Sequence, residues 1–367
     1  MADDDRVVAV VGASGLIGTA ALSSFLDAGW NALAVSRRRP EPEAKAGFRH
    51  VPVDLLDRSA CLAALRGERV THLVYAAVYE KPGLVAGWSD TGQMRTNLDM
   101  LANVLDALVP AGTLEHVTIM QGTKAYGVHL HPIPVPARER APRDDHPNFY
   151  WLQEDHLREA AAREGFGWTI FRPVQVVGPA YGSGYSVPAV MGVYSALCHA
   201  EGLPFAFPGG NVFPARQVVD ARLVGDATVW AAQAERARGE HFNLTNGEVF
   251  GWHGLWDHVG ALLGHEPAEP APRSMGEFLP SRAAAWDDIV GRFGLKPLRL
   301  AQVLGQSHFY ADYTFGYGLT DMSPPALVST VKVKKAGFGQ VRDTDETFTY
   351  AIRRLIEERI IPGSPLR

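Results

Sequence analysis

The stretch near the start of this sequence constrains the fold more than any other. The run Arg6–Val11, apolar after its first residue, leads directly into glycines at positions 12, 15 and 18, and a helix-forming stretch follows at once. This order is typical of a buried strand, a tight turn and a helix. Gly12 permits the turn, Gly15 lets the backbone approach a pyrophosphate, and Gly18 lets the helix pack closely on the strand. The segment therefore predicts a dinucleotide-binding turn, with the anion at the helix N-terminus.

Length, charge and cysteine content exclude several classes of protein. The chain has 367 residues, enough for one large domain or a domain with a lobe. A net charge of −5 gives no electrostatic footprint for nucleic acid or an anionic membrane. Two cysteines, Cys61 and Cys198, favour a reducing compartment and predict neither disulfides nor a metal site. With an acidic first segment and no apolar stretch long enough to cross a bilayer, the chain is expected to be cytoplasmic.

Strand and helix patterns alternate through the first half of the chain. Apolar runs predict strands at Asn31–Val35, Thr71–Ala77, His116–Met120, Trp168–Phe171 and, later, Glu240–Leu244. The range His50–Asp57 is predicted to contain a further strand and the turn that leaves it. Helical periodicity covers Thr91–Leu108 and the stretch after Asn148. This alternation predicts an α/β fold, a Rossmann-type doubly wound parallel sheet with ligands at the carboxyl ends of its strands. We expect a dinucleotide-binding core in residues 1–180. Residues 181–367 are expected to return strands to the core and to form a smaller, mostly helical substrate lobe.

The residues after the second predicted strand favour NADPH over NADH. A carboxylate there would accept hydrogen bonds from the ribose 2′-hydroxyl, whereas guanidinium groups bind a 2′-phosphate. The sequence has Ser36 followed by Arg37, Arg38 and Arg39, and the nearest acids come after Pro40. NADPH/NADP⁺ is therefore the expected cofactor.

The glycine spacing resembles that of the short-chain dehydrogenase/reductase superfamily. The resemblance implies an adenine contact from Asp54 and Leu55, although Asp54 or Asp57 capping a helix explains the same residues. Asn97 is similar to a structural asparagine of extended members, and the helix around it commonly forms a dimer face in the superfamily. A homodimer is expected on that ground alone.

The usual active site of that superfamily is altered in this sequence. In the Tyr-x-x-x-Lys motif the ammonium lowers the pKa of the tyrosine, so that it can exchange a proton with an alcohol. The residue four positions beyond Tyr150 is Glu154, and a carboxylate there predicts a raised tyrosine pKa instead.

The sequence from Asn148 to Asp155 resembles the signature of the progesterone 5β-reductase/iridoid synthase family, which reduces activated C=C bonds. The likeness spans nearly the whole chain, including Trp168–Pro173, Phe242–Trp252 and the closing Ile360–Pro362. In that family a lysine comes from the loop after the fifth strand, where Lys124 stands. Ala125 replaces a usual histidine, Trp151 replaces a second tyrosine, and the stretch Tyr75–Tyr79 lacks a usual tryptophan. These departures predict a differently shaped substrate pocket.

The resemblance implies a conjugate reduction of small apolar enones or enals. Hydride addition to the β-carbon places negative charge on the carbonyl oxygen, which requires a hydrogen-bond donor. Tyr150 is the predicted donor and Lys124 the source of positive potential, and these two are the predicted catalytic residues. The predicted cofactor-binding residues are Gly12, Ser14, Gly15, Leu16, Ile17, Gly18, Ser36, Arg37, Arg38, Asp54, Leu55, Ala77, Val78, Gln121, Tyr150, Pro173 and Val176.

Several alternatives stay open at this point. Thr123 is either a catalytic hydroxyl or a loop hydroxyl bonded to nearby backbone. Residues 179–188 form either a loop that orders on cofactor binding or a plain surface loop. The aromatic residues of the second half line a pocket or belong to the core: Phe205, Phe207, Phe309, Tyr310, Tyr313, Phe315 and Tyr317. Two other functions remain, an extended-type carbonyl reductase or sugar-nucleotide epimerase/dehydratase, and a non-catalytic NADPH-binding sensor.

Overall fold

The computed structural model describes residues 6–44, 46–81, 89–210, 215–321 and 324–363. The chain divides into two compact units. The first comprises Met1–Val176, Ala221–Thr245 and Val328–Val341. The second comprises Val177–Asp220, Asn246–Leu327 and Arg342–Arg367. A domain boundary at residue 180 stays a prediction, although a late strand does return to the first unit.

Nine strands are present in the described residues. They are β1 (Val7–Val11), β2 (Asn31–Val35), β3 (Arg49–Val51), β4 (His72–Tyr75), β5 (His116–Met120), β6 (Gly167–Pro173), β7 (Gln175–Val177), β8 (Val218–Asp220) and β9 (Glu240–Leu244). Seven of them form the parallel sheet of the first unit, in the order β3-β2-β1-β4-β5-β6-β9. The order reverses between β1 and β4, so this edge of carboxyl ends is the place where such sheets bind ligands. The predicted Rossmann-type doubly wound sheet is confirmed.

Helices cover both faces of this sheet, as the alternation of side chains in β1 requires. The α-helices of the described residues are α1 (Leu16–Asp27), α2 (Arg58–Leu65), α3 (Thr91–Leu108), α4 (Phe149–Glu164), α5 (Val187–Glu201), α6 (Ala221–Gln233), α7 (Trp252–Leu262), α8 (Met275–Phe278), α9 (Ala283–Phe293), α10 (Leu300–Leu304), α11 (Ser307–Phe315), α12 (Val331–Lys335) and α13 (Thr344–Glu357). Val8 and Val10 pack in the core that includes residues of α1, whereas Ala9 and Val11 pack with residues of α3 and α4. None of the helices within the described residues is both long and apolar enough to cross a membrane.

Helix α6 returns to the first unit and packs closely on α1. A Cβ atom on Gly225 would lie 2.7 Å from the carbonyl oxygen of Ala20, so only glycine allows the two backbones to approach this closely. The Ser24 hydroxyl donates to the Asp226 carboxylate at 2.9 Å across the same contact. This packing completes one face of the nucleotide-binding sheet.

The second unit is largely helical and has its own core. Residues 187–198 of α5 are all buried, and they pack with Trp252, Trp286 and Phe348. Because α5 is apolar on every side, it lacks the amphipathic period that would have predicted it, and the predicted loop 179–188 ends where α5 begins. Of the aromatic residues that were candidates for a pocket, those at positions 205, 207 and 315 are buried in this core, whereas those at 309, 313 and 317 are exposed.

Candidate active site

The glycine turn after β1 is a cradle made of backbone atoms. Gly12 leaves β1 with φ of +83°, a conformation that side-chain-bearing residues rarely adopt. A Cβ on Gly12 would lie 2.7 Å from the nitrogen of Ala77, and a Cβ on Gly18 would lie 2.1 Å from the carbonyl oxygen of Gly12. The turn, α1 and the exit from β4 therefore meet with no space for side chains, as the glycine spacing predicts.

The start of α1 fits an anionic ligand. Gly15 is the N-cap residue, no side chain caps the helix, and the first turn contains no acidic residue. The first N–H groups of a helix have no intrahelical acceptor and lie at the positive end of its dipole. Ser14, Leu16 and Ile17 lie in this turn, half-buried. The cradle and the uncapped helix together fit the pyrophosphate of a dinucleotide.

The turn after β2 presents three arginines to solvent. The Ser36 hydroxyl donates to the carbonyl oxygen of Arg38 at 2.6 Å, so this side chain shapes the turn. Arg37, Arg38 and Arg39 are all exposed, and the guanidinium of Arg39 lies 4.8 Å from the centroid of the Phe48 ring. The predicted role of Arg37 and Arg38 in holding a 2′-phosphate is compatible with this exposure and stays a prediction.

The two aspartates after β3 differ in their contacts. Asp57 is the N-cap residue of α2 and accepts from the N–H of Ala60 at 2.9 Å, so the helix-cap alternative describes Asp57. Asp54 is exposed and accepts from the N–H two residues further on, and Leu55 is buried. Asp54 and Leu55 stay predicted adenine contacts.

The exit from β4 is fixed to α3 through Asn97. Its side chain accepts from the N–H of Tyr79 at 2.9 Å and donates to the Tyr79 carbonyl oxygen at 2.8 Å. Asn97 is fully buried. Ala77 is half-buried and Val78 is 54% exposed. Asn97 therefore has the structural role that the superfamily resemblance implies.

The side chain of Asn148 connects the helix that carries Tyr150 to the loop that carries Lys124. Asn148, the N-cap residue of α4, accepts from the N–H of Tyr150 at 3.0 Å and donates to the carbonyl oxygen of Lys124 at 3.4 Å. A Cβ on Gly122, in the loop that carries Lys124, would lie 3.2 Å from the Tyr150 hydroxyl oxygen and 3.7 Å from the carbonyl oxygen of Pro173. The hydroxyl thus lies at the carboxyl ends of β5 and β6.

Burial and two nearby charges set the protonation of this pair. Burial, opposed by Glu80, lowers the pKa of Lys124 to about 8, so most of these side chains are still ammonium ions at neutral pH. Burial is the main cause that raises the pKa of Tyr150, and the Glu80 carboxylate raises it further. Arg172 lowers the pKa of Tyr150. The tyrosine pKa is raised, as expected from the sequence, but the causes are burial and Glu80 rather than Glu154. A tyrosine in this state is a hydrogen-bond donor rather than a base.

Glu154 belongs to a buried charge cluster instead. Its carboxylate accepts from Gln121 at 2.9 Å and pairs with Arg143 at 2.8 Å. His241 Nε2 lies 3.0 Å from the same carboxylate, within ion-pair distance but off the axis of a hydrogen bond. Burial alone would raise the pKa of Glu154, but these three partners outweigh it and hold the pKa well below its usual range.

The side chain of Gln121, a predicted cofactor contact, is used within the protein. It donates to Glu154 and accepts from the Arg172 Nε atom at 2.9 Å. Its backbone N–H also donates to the carbonyl oxygen of Phe171 at 2.8 Å, and a contact of Gln121 with a cofactor stays a prediction. Pro173 and Val176, also predicted contacts, follow at the end of β6 and in β7, buried and half-buried respectively.

Sequence reasoning missed Glu80 and the electrostatic role of Arg172. Arg172 is 5% exposed on β6, and a charged residue inside an apolar strand pattern is a signal that could have identified it. Glu80 carries no comparable signal, because its neighbours in sequence indicate an ordinary turn. The Thr123 hydroxyl has no hydrogen-bond partner within the described part of the chain, so its role stays open.

Sequence comparisons identify relatives over nearly the full length. The profile of the NAD dependent epimerase/dehydratase family matches residues 8–245. An (S)-8-oxocitronellyl enol synthase from Catharanthus roseus is 27% identical, covering 97% of this chain and 92% of the relative. A 3-oxo-Delta(4,5)-steroid 5-beta-reductase from Arabidopsis thaliana is 28% identical, covering 98% and 94%. The predicted resemblance to the progesterone 5β-reductase/iridoid synthase family is confirmed.

Solved structures support the fold. UDP-glucose 4-epimerase from Bifidobacterium longum in complex with NAD+ and UDP superposes with a TM-score of 0.67 at 13% identity, covering 97% of this chain and 99% of that one. The Bordetella bronchiseptica enzyme WbmH in complex with NAD+ superposes with a TM-score of 0.64 at 18% identity, covering 96% and 98%. At these identities the likeness concerns the fold.

Proposed function

Because this chain belongs to the NAD dependent epimerase/dehydratase family, we propose that it is an NADPH-dependent reductase of the activated C=C bond of enones or enals. One observation carries the proposal: the Tyr150 hydroxyl lies beside the loop of Lys124, with its pKa raised, while Glu154 replaces the usual lysine. Relatives named as an enol synthase and a steroid 5-beta-reductase support the same class of reaction.

The proposed mechanism assigns hydrogen bonding, rather than proton exchange, to the protein. When bound, the nicotinamide cofactor supplies the hydride that adds to the β-carbon of the substrate. Tyr150 donates a hydrogen bond to the substrate carbonyl oxygen and stabilises the enolate as charge develops there. The Lys124 ammonium adds positive potential at the same oxygen. A proton from water then adds to the α-carbon, so that one hydride and one proton together saturate the C=C bond.

The protonation states favour this reaction over carbonyl reduction. A carbonyl reductase needs a tyrosine that transfers its proton to an alkoxide, and a neighbouring lysine lowers the tyrosine pKa for that purpose. In this protein burial and Glu80 raise the pKa of Tyr150, which keeps its hydroxyl protonated. Such a group suits an enolate, which needs a donor but no proton on oxygen.

Isotope transfer tests the proposal directly. With NADPH deuterated at the transferred position, an acyclic enal should yield a saturated aldehyde that carries deuterium on its β-carbon. In a separate reaction with unlabelled NADPH in deuterated water, deuterium should appear on the α-carbon. Deuterium on the carbinol carbon of an allylic alcohol would instead establish a carbonyl reductase. Tight NADPH binding without turnover of any enone or enal would favour the sensor.

The arginine turn predicts the cofactor preference. Changing Arg37 and Arg38 together to serine should raise the KM for NADPH about 10- to 100-fold, since a hydrogen bond to a charged group contributes about 1.5–3 kcal/mol. The KM for NADH should change little, because NADH lacks the 2′-phosphate. Steady-state kinetics with both cofactors measure the difference. Arg66→Ser removes another exposed arginine and is the control. Equal KM values for NADH and NADPH in the unmodified protein would contradict the proposed preference for NADPH.

A further inference from the structure

The side-chain amide of Asn148 makes three contacts, and their chemistry determines its orientation. The N–H of Tyr150 can only donate, so the amide oxygen accepts from it, at 3.0 Å. The amide nitrogen then donates to the carbonyl oxygen of Lys124 at 3.4 Å and lies 3.1 Å from Nε2 of His146. Asn148 and His146 are both buried. An amide turned by 180° would lose the bonds to Tyr150 and Lys124 together.

The tautomer of His146 follows from the same contacts. An amide nitrogen offers only N–H groups, so Nε2 of His146 has to be the bare, accepting nitrogen. Nδ1 lies 2.7 Å from the Asp144 carboxylate, which only accepts, so Nδ1 carries the proton. His146 therefore forms hydrogen bonds on both sides as a neutral imidazole. A proton added to Nε2 would place two donors against each other and release the amide of Asn148.

Asp144 also contacts the segment that carries Lys124. This helical turn, Thr123–Tyr126, ends at Gly127, which has a φ of +72°. A Cβ on Gly127 would lie 2.8 Å from Oδ1 of Asp144 and 2.6 Å from Nε2 of His131. The same nitrogen of His131 lies 2.9 Å from Oδ2 of Asp144. The carboxylate is therefore packed against the backbone at the end of the turn that carries Lys124.

Two aromatic rings pack on His146. The ring of His129 meets it edge to face, with the two centroids 5.2 Å apart, and the ring of Trp151 on α4 does so at 6.2 Å. Buried among these groups, the imidazole has little freedom to turn its nitrogens toward water. The chain of contacts Asp144–His146–Asn148 thus connects the segment of Lys124 to the N-terminus of α4 in one arrangement.

Building on the proposed function, we propose that His146, oriented by Asp144, is a positioning residue that holds the Asn148 amide and so sets the position of Tyr150 relative to Lys124 for enolate stabilisation. The mechanism requires both groups at one substrate oxygen, yet they come from separate elements. A displacement of a catalytic group by about 1 Å costs up to about 10²-fold in rate. His146 touches neither the substrate nor the cofactor in this proposal and acts through Asn148.

Two substitutions at His146 separate positioning from packing. His146→Phe keeps a ring against His129 and Trp151 but leaves the Asn148 amide without its acceptor. The kcat for enal reduction should then fall about tenfold or more. His146→Gln offers an amide oxygen to Asn148 in place of Nε2 and should recover most of the lost kcat. Fluorescence titration with NADPH counts the binding-competent sites, so that kcat is expressed per site.

His258→Phe is the matched control. His258 is half-buried on α7 in the second unit, and its Nε2 lies 2.7 Å from the Thr349 hydroxyl. This variant also exchanges a hydrogen-bonded imidazole for a phenyl ring, and it should leave kcat unchanged. Equal losses of kcat in His146→Phe and His146→Gln would make His146 a packing residue and overturn the proposal. An unchanged kcat in His146→Phe would overturn it as well.

Nitrogen NMR determines the tautomer without any substrate. In protein labelled with ¹⁵N-histidine, long-range ¹H–¹⁵N correlations distinguish a protonated Nδ1 from a protonated Nε2. The spectrum is recorded at about pH 8, above the ordinary histidine pKa of about 6.5, and the signals missing from His146→Gln are those of His146. We expect a proton on Nδ1 and a bare Nε2. If no enone is reduced, the proposed function fails while this spectrum still decides the hydrogen bonding of His146; a proton on Nε2 would refute the inference.

Discussion

Replacing Tyr150 with phenylalanine is expected to lower kcat for enone reduction by about 10²- to 10³-fold, the usual consequence of losing one donor to a developing oxyanion. The phenyl ring retains the packing at the start of α4, and because Tyr150 is also a predicted cofactor contact, the Kd for NADPH is measured alongside kcat to separate a loss of binding from a loss of rate. Single-turnover measurements of NADPH oxidation with saturating enal isolate the chemical step. We expect no change in the position of the deuterium label in the residual product.

A matched tyrosine provides the control for this variant. Tyr75 is buried on β4, and its hydroxyl has no hydrogen-bond partner within the described residues. Tyr75→Phe removes a buried hydroxyl without removing a proposed donor, and it should leave kcat unchanged. If Tyr150→Phe retained activity within about threefold of the unmodified enzyme, the enolate would need a different donor, since a true donor contributes far more.

The second large effect is expected at the glycine cradle. Gly18→Ala places a methyl group where the Cβ would lie 2.1 Å from the carbonyl oxygen of Gly12, and backbone atoms have to move to admit it. Overpacking of this kind costs about 1–3 kcal/mol of stability. Because the displaced turn is the proposed pyrophosphate site, the Kd for NADPH should also rise more than about tenfold. Thermal unfolding and fluorescence titration with NADPH measure the two effects.

Gly254→Ala is the comparison for that variant. Gly254 lies within α7, where an added Cβ would meet nothing within 4 Å. Alanine is favoured over glycine inside a helix by about 1 kcal/mol, so this change should stabilise the protein slightly and leave NADPH binding intact. Normal NADPH affinity in Gly18→Ala would show that the cradle tolerates a side chain and that the cofactor is held elsewhere.

The core of the nucleotide-binding fold was predictable because its determinants are local. The run Val7–Val11 and the following glycines form a strand, turn and helix from neighbouring residues alone, and β2, β5, β9 and α3 begin and end where the hydrophobic pattern indicates. Helix α5 escaped prediction for the opposite reason. It is buried on every side, and only the surrounding tertiary structure explains its apolar composition.

The candidate site was predictable in part. Tyr150 and Lys124 were identified through the family resemblance, since two residues separated by 26 positions in sequence give no physical reason to pair them. Glu80 was missed because its placement depends on Asn97, a residue on another element. The effect of Glu154 on Tyr150 was misassigned because His241, a partner that engages Glu154, comes from β9 and is invisible to local spacing.

The interrupted path of the first unit has a consequence for synthesis on the ribosome. Its sheet includes β9, and one face of α1 is covered by α6, yet both elements follow a long excursion of the chain into the second unit. The nascent chain up to Val176 therefore carries β6 as an exposed edge strand and α1 with an uncovered apolar face, both of which favour aggregation. Completion of the nucleotide-binding unit has to wait until most of the polypeptide has emerged, because the segments Ala221–Thr245 and Val328–Val341 also belong to it.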